Sequence, residues 1–251
     1  MRLVAAEILK LRRRRGLMIW SVILTLGPVV VPLVVLLVLH AVNPDKHGPA
    51  GGIENLRGIL GVLSLLGGLA GILIGTTAGS QDVSAGVFRD LAVTGRPRKT
   101  LFGVRAPGAL CVFLPLMTLS FAIASVATIV LAGGGTAPDA GEIGGFAVAI
   151  GSLSVLNVVL GVSLAAVASS RVAVGVLIAW NAVLAPILLH ITALGGARKA
   201  IYTAAAEHFV PVDRGNIPPV TMSSGTALLV IALWIAIPLW IGAARTVRRD
   251  A

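Results

Sequence analysis

The residues of this chain that could carry out chemistry are few, and they lie in its polar segments. Asp139 and Glu142 form a carboxylate pair three residues apart, which an exposed acidic loop explains without catalysis. Residues 95–100 end in Lys-Thr, as a phosphate-binding loop does, but no glycine precedes Lys99 and Pro97 interrupts the loop. The sequence has no metal-binding spacing of Cys and His and no serine-nucleophile motif. We therefore expect no enzymatic activity, no metal and no cofactor.

Two asparagines could form hydrogen bonds inside the apolar part of the chain. Asn157 and Asn181 each interrupt a long apolar run. An amide surrounded by hydrocarbon has to find a hydrogen-bond partner, so each is expected to face another helix or a cavity. Both are therefore candidates for lining a substrate pathway, and packing between helices within the chain is the alternative.

The composition predicts an all-α membrane protein that positions these residues on transmembrane helices. The 251 residues are 57% hydrophobic and 12% charged, and the mean hydropathy is +0.98. A soluble domain carries about twice that charged fraction. Apolar runs of about 20 residues recur along the chain, long enough to cross a bilayer. We predict one transmembrane domain over residues 1–251, with spans at 18–39, 59–78, 110–131, 143–168, 172–194 and 226–243.

The basic residues predict the orientation of these spans. A net charge of +10 would suggest nucleic acid as a partner of a soluble protein, but basic residues are also enriched in the cytoplasmic loops of membrane proteins. If both termini are cytoplasmic, 15 of the 20 Lys and Arg residues lie on the inner side. We therefore predict an N-in, C-in topology and no nucleic-acid partner. No charged residue falls within the predicted spans, which argues against a proton-coupled pump or an ion channel.

Small residues form a stripe along the second predicted span and recur in the fourth. The glycines of this stripe are Gly67, Gly71, Gly75 and Gly79, and Gly161 lies in the fourth span. In lipid, small residues allow helix backbones to approach closely and gain dispersion contacts. The stripe is expected to pack helices within the chain or, alternatively, to form a subunit interface or line a substrate path.

Two segments outside the spans have local structure of their own. Residues 1–16 predict a moderately amphipathic helix before the first span, with Val4, Ile8 and Leu11 on one face. Residues 195–225 form a long outer segment with an Ala-rich start that could be helical, and three prolines that end it. This outer segment is either an exposed loop or a cap that dips into the membrane.

The loop between the second and third spans predicts a short docking helix over residues 81–95. Its apolar face comprises Val83, Val87, Phe88 and Leu91. Asp82 is placed to cap the start of this helix, and Gly95 and Pro97 supply a stop signal. An exposed helix with such a face needs lipid headgroups or a protein groove to cover it, and we favour a protein groove.

These features resemble the permease subunits of type-2 ABC exporters, closest to the small six-span permeases of lantibiotic-immunity and drug-export systems. The resemblance rests on AEILKLRRRRGLMIW at the start, DVSAGVFRDLAVTGRPRKTLFGVR in the first inner loop, the long outer segment and GAARTVRRDA at the end. It implies a membrane-spanning subunit of a bacterial plasma-membrane exporter that confers drug or peptide resistance. Its implied partners are a separate ATP-binding subunit, a second permease copy or homologue, membrane lipid and a hydrophobic or amphipathic substrate.

The resemblance also implies roles for particular residues. Residues 82–94 would be a coupling helix seated in a groove of the ATP-binding subunit. The residues implied in coupling are Asp82, Val83, Val87, Phe88, Arg89, Leu91, Arg96 and Arg98. The N-terminal helix would be an elbow helix, represented by Glu7, Lys10, Leu11 and Arg12. Two alternatives remain open on the sequence: a carrier that works without an ATPase, and a membrane anchor or sensor.

Overall fold

The computed structural model describes residues 2–86, 95, 97–209 and 220–248, and its described residues form helices and turns with no strand. The α-helices are α1 (Arg2–Arg13), α2 (Arg15–Val42), α3 (Ile53–Ser84), α4 (Arg98–Gly103), α5 (Arg105–Val130), α6 (Ala140–Val167), α7 (Ser170–Ala179), α8 (Ala185–His190), α9 (Tyr202–Glu207) and α10 (Ser224–Arg248). A π-helical turn at Trp180–Leu184 joins α7 to α8, and a 3-10 segment at Thr192–Ala200 precedes α9.

Six helical stretches among the described residues are long and apolar enough to cross a membrane, and two of them join neighbouring elements: α4 with α5, and α7 with the π-helical turn and α8. They are Arg15–Val42, Ile53–Asp82, Arg98–Val130, Ala140–Val167, Ser170–His190 and Ser224–Arg248. The predicted all-α, multi-pass membrane architecture is thereby confirmed. The predicted break between the fourth and fifth spans is present, because the Ser169 side chain accepts a hydrogen bond from the Val172 N–H and caps the start of α7.

The bundle is built around α3 and α6. The apolar stretch of α6 is 67% buried and that of α3 is 56% buried, against 22% for the first, fifth and sixth spans. Glycines bring the two helices together: a Cβ atom at Gly75 would lie 2.4 Å from the carbonyl oxygen of Val158. A Cβ atom at Gly79 would lie equally close to the Val162 carbonyl. Only glycine permits this approach of two backbones.

The rest of the glycine stripe packs in the same way. A Cβ atom at Gly67 would meet Met117 of α5, and one at Gly71 would meet Phe113 of the same helix. Gly161 faces Gly75 and Thr76 from the side of α6. All five glycines are buried, so this face is covered by helices of the same chain.

Helix α1 and the end of α10 lie beside the helix ends that flank the loop between α3 and α4, at one end of the bundle, which we call the termini end. The N-terminal helix α1 packs there on α5, where a Cβ atom at Gly108 would lie 2.6 Å from the Cβ atom of Glu7. The C-terminal helix α10 packs there on α4, where a Cβ atom at Gly242 would lie 2.8 Å from the Phe102 ring. The predicted N-terminal helix is therefore present, and its Leu11 side chain is fully buried.

The start of the predicted docking helix differs from the expectation. Asp82 lies inside α3, two residues before Ser84, so its interpretation as the cap of a separate helix is wrong. The α3 backbone continues beyond the apolar block because Asp82 finds cationic partners within the bundle. The chain then turns at Gly86, whose φ of 72° suits a residue that follows a helix. The remainder of the predicted docking helix, residues 87–94, lies outside the described residues.

The fifth span ends at His190, four residues before the predicted end at Leu194. A 3-10 segment begins at Thr192, and Gly195 takes a φ of 49° within it. The predicted short helix in the outer segment is α9, and its residues from Tyr202 to Ala206 are buried. This part of the segment is therefore inside the bundle and is not an exposed loop, whereas residues 210–219 lie outside the described residues.

Candidate functional site

Four charged side chains form a network at the termini end. The Lys10 ammonium donates to Glu7 Oε1 at 2.6 Å and to Asp82 Oδ1 at 2.9 Å. The Arg105 guanidinium pairs with Asp82 Oδ2 at 3.3 Å and donates to the carbonyl oxygen of Gly79 at 2.8 Å. These four residues, which we call the charge network, join α1, α3 and α5. Two acids and two bases make it electrically neutral.

The charge network is largely removed from solvent. Arg105 is 1% exposed, Asp82 4% and Glu7 7%. A buried ion loses its hydration, and removal of one partner leaves an uncompensated charge that costs about 3–5 kcal/mol. Each member therefore depends on the others, and the three helices are held in one relative position. The network is therefore a mechanical connection between these helices.

Lys10 remains protonated in this network. Its burial lowers the pKa, but hydrogen bonds to Asp82 and Glu7 and the charges of both carboxylates outweigh burial and raise the pKa above its usual value of 10.5. The ammonium form is therefore the one that holds α1 against α3 at neutral pH.

Several residues assigned by sequence to docking or to the elbow helix meet in this network. Glu7, Lys10 and Asp82 belong to it, Leu11 is buried beside it and Arg12 is exposed. Arg98 donates to the backbone carbonyl of Val247 at 3.1 Å, which ties α4 to the end of α10. Val87, Phe88, Arg89, Leu91 and Arg96 lie outside the described residues, as does the side chain of Val83.

Sequence reasoning missed Arg105 as a member of the network. Arg105 is the last basic residue between the second and third predicted spans, yet it is the first residue of α5 and is almost completely buried. Asp82 and Arg105 both lie outside the predicted spans, and the helices that contain those spans extend to include them at the termini end. Both Asp82 and Arg105 are tolerated there because each neutralises the other. In the sequence, Asp82 follows the second predicted span and Arg105 precedes the third. This placement of opposite charges is the signal that could have indicated their pairing.

A second polar cluster lies in the middle of the bundle. The Tyr202 hydroxyl donates to Asn181 Oδ1 at 2.6 Å, and Asn181 Nδ2 donates to the Leu177 carbonyl at 2.9 Å. The same nitrogen lies 3.5 Å from Asn157 Oδ1, at the outer limit of a hydrogen bond. The two asparagines selected from the sequence therefore face each other, and Tyr202 is a partner that the sequence did not indicate.

The π-helical turn Trp180–Leu184 sets the position of Asn181. Pro186 follows the turn and has no N–H to donate to the carbonyl four residues before it, which favours a local departure from α-helical pairing. Next to this turn, aromatic rings close one side of the cluster. Trp234 of α10 lies 5.6 Å from Trp180 and 5.1 Å from Tyr202, measured between ring centroids.

The polar cluster borders a cavity of about 380 Å³. Its walls come from α3, α6, α7, the π-helical turn, α8 and α9, and they include Ser64, Gly68, Asn157, Ile178, Asn181 and Thr203. None of the described residues that line it carries a charge. The cavity lies at the middle of the spans, and its chemistry is that of a binding site with a few hydrogen-bonding groups in apolar walls.

Within the described residues, no group of three or more His, Cys, Asp or Glu side chains could hold a metal ion. No protein-family model matches this chain, and no curated protein is significantly similar to it.

Proposed function

We propose that this multi-pass membrane protein is the permease subunit of an ATP-driven exporter of the type-2 ABC class. A separate ATP-binding subunit would drive it, and two permease copies, or this chain and a homologue, would enclose the pathway. The observation that carries the proposal is the charge network at the base of the loop between α3 and α4. The protein would lie in the bacterial plasma membrane, with the termini end in the cytoplasm.

The helix ends that flank the loop between α3 and α4 are both attached to the bundle. On one side Asp82 binds Lys10 of α1 and Arg105 of α5. On the other side Arg98 binds the end of α10, and Phe102 packs against Gly242. A displacement of this loop would therefore move α1, α3, α5 and α10 together. Rigid-body motion of packed helices is the form in which an ATPase transmits work to a membrane subunit.

The chain needs a partner for that work, because its sequence has no complete nucleotide-binding motif. The apolar residues Val87, Phe88 and Leu91 of the loop are the groups that we expect to enter a groove of the ATP-binding subunit. Arg89 and Arg96 would add charged contacts at its rim. The members of the charge network pair with each other, and the cavity at mid-membrane has no charged lining residue among those described. Neither arrangement suits a proton relay of the kind an ATPase-independent carrier would use.

The test is co-purification from native membranes. The tagged full chain is extracted in mild detergent, and the proteins retained with it are identified by mass spectrometry. We expect a protein that carries a complete phosphate-binding loop in a fixed ratio to the permease. The double variant Phe88→Asp, Leu91→Asp should lose this protein, because two carboxylates cannot enter an apolar groove.

The matched control is the double variant Thr136→Asp, Ala137→Asp, which adds the same charge to an exposed loop at the opposite end of the bundle. It should retain the partner. Retention of no ATP-binding protein by the native chain, or equal retention by both double variants, would contradict the proposal.

A further inference from the structure

We infer that the mid-membrane cavity binds a neutral, largely apolar molecule that carries carbonyl groups as hydrogen-bond acceptors. The inference of binding rests on the cavity and its lining residues, and the statement that this molecule is the transported substrate rests on the proposed function. The cavity of about 380 Å³ lies at the lower end of the range that holds small organic ligands.

The cavity excludes charged ligands by desolvation. None of its described lining residues is charged, and most of its surface is apolar, as at Leu69, Ile72 and Leu153. An ion that enters such walls loses its hydration and gains no partner of opposite charge, which costs several kcal/mol. A neutral molecule with an apolar body loses little on entry and gains the burial of its own surface.

Two residues that line the cavity have a hydrogen-bond donor that is not used among the described residues. The Thr203 hydroxyl is buried and has no hydrogen-bond partner within the described residues, and Thr203 is only 4% exposed. The side-chain nitrogen of Asn157 donates to no group among the described residues, and it faces Gly68, which also lines the cavity. In contrast, Asn181 Oδ1 already accepts the Tyr202 hydroxyl. A ligand with acceptors would satisfy Thr203 and Asn157, since a buried polar group without a partner is costly.

The side chains of Asn157 and Asn181 are held in place before a ligand binds. Asn181 is fixed by the Tyr202 hydroxyl on one side and by the Leu177 carbonyl on the other. Its long contact with Asn157 orients the second amide. Because these side chains are already ordered, binding does not have to supply the entropy of ordering them.

Two of the residues that line the cavity are exposed at the middle of their spans. Leu65 of α3 and Ile178 of α7 both line it, and they are 51% and 37% exposed. Both residues lie near the middle of their spans, where the surrounding medium is hydrocarbon. A neutral apolar molecule dissolved in the membrane could therefore enter laterally between α3 and α7.

The test measures binding to the full chain in lipid nanodiscs, without an ATP-binding subunit. The probe is tritiated N-acetyl-leucyl-leucine amide, which is neutral and has three carbonyl groups, and empty nanodiscs correct for its partition into lipid. We expect saturable binding of this probe. Leucyl-leucine amide, whose free amine is protonated at neutral pH, should bind at least about tenfold more weakly, because its charge has no partner in the cavity.

Substitutions identify the site. Thr203→Val keeps the shape of the side chain and removes the hydroxyl, and Asn157→Leu removes the amide; each should weaken binding by about three- to tenfold. Thr203→Ser keeps the hydroxyl and should bind the probe as the native chain does. The matched control is Thr128→Val, which removes a buried hydroxyl from α5 outside the cavity and should leave binding unchanged.

Three results would overturn the inference: no saturable binding above empty nanodiscs, equal affinity for both probes, or equal binding by Thr203→Val and the native chain. Because no ATP-binding subunit is present, such a result leaves the co-purification outcome unaffected. Conversely, probe binding by a chain that retains no ATP-binding protein would support the site and contradict the exporter.

Discussion

At the scale of single residues, Asp82 connects three helices through one carboxylate. Its Oδ1 atom accepts from Lys10 of α1, and its Oδ2 atom pairs with Arg105 of α5, while Asp82 itself belongs to α3. A carboxylate has two oxygens and accepts bonds only, so both cations are bound without competition. The two ion pairs of Asp82 therefore stabilise the relative position of the helices more than exposed ion pairs of the same length would.

Removal of Asp82 should destabilise the chain by about 3–5 kcal/mol, because it breaks the buried ion pair with Arg105. We expect Asp82→Leu to show this loss in unfolding of the purified protein. In the double variant Asp82→Leu, Arg105→Met no buried charge remains at that position, so the loss should be smaller than the sum of the two single losses. Additive losses would contradict the direct pairing of these residues.

The contribution of Lys10 to stability should depend on pH only at high pH. Its pKa in the folded chain is raised above the usual 10.5, so the stabilisation is complete below about pH 10.5 and is lost as the pH rises through the folded pKa. The difference in Tm between the native chain and Lys10→Met should therefore be constant from about pH 7 to 9 and decrease above about 10.5. The exposed Lys99→Met serves as control. A decrease already complete by about pH 9 would contradict this account.

The sequence predicted some of these residues correctly and could not predict their pairings. Asn157 and Asn181 were selected because an amide in an apolar run needs a partner, and they do face each other. Tyr202 could not be identified as their partner, because it lies in a segment whose sequence also fits an exposed loop. Whether such a segment folds back into the bundle depends on tertiary packing, here against Trp234, which lies 32 residues further along the chain.

At the scale of elements, the contact between α3 and α6 depends on the absence of side chains. Gly75→Ala should destabilise the chain by about 1–3 kcal/mol, because the new methyl group would overlap the Val158 carbonyl. Gly58→Ala lies on the same helix with no atom within 4 Å of the new methyl group. It should be neutral or stabilising by up to about 1 kcal/mol through its higher helix propensity. Thermal unfolding of the two variants checks the contrast, and equal losses would contradict the packing.

The helices themselves were largely predictable, and their ends were not. Hydropathy located all six spans, because each has to present about 20 apolar residues to lipid. It placed the start of the third span at residue 110, whereas helix begins at Arg98 and again at Arg105. Hydropathy treats a charged residue as a boundary, but a helix continues through one that is paired. The π-helical turn at Trp180 likewise has no hydropathy signal.

At the scale of the whole molecule, α3 connects the charge network to the cavity. Asp82 lies at one end of this helix, and Gly68 lies 14 residues before it, which corresponds to about 21 Å along the helix axis. A helix that is packed by glycines against α6 cannot bend freely between these points. In an exporter, α3 would therefore carry a displacement from the loop at the termini end to the walls of the cavity.

The central claim is that the loop between α3 and α4 docks an ATP-binding subunit. Photocrosslinking from position 88 in living cells tests it most directly, with p-benzoylphenylalanine in place of Phe88 and mass spectrometry of the adducts. We predict one major protein adduct, to a chain with a complete phosphate-binding loop, and no such adduct from the same probe at Ala137. Adducts to lipid alone, or to a protein that binds no ATP, would contradict the account.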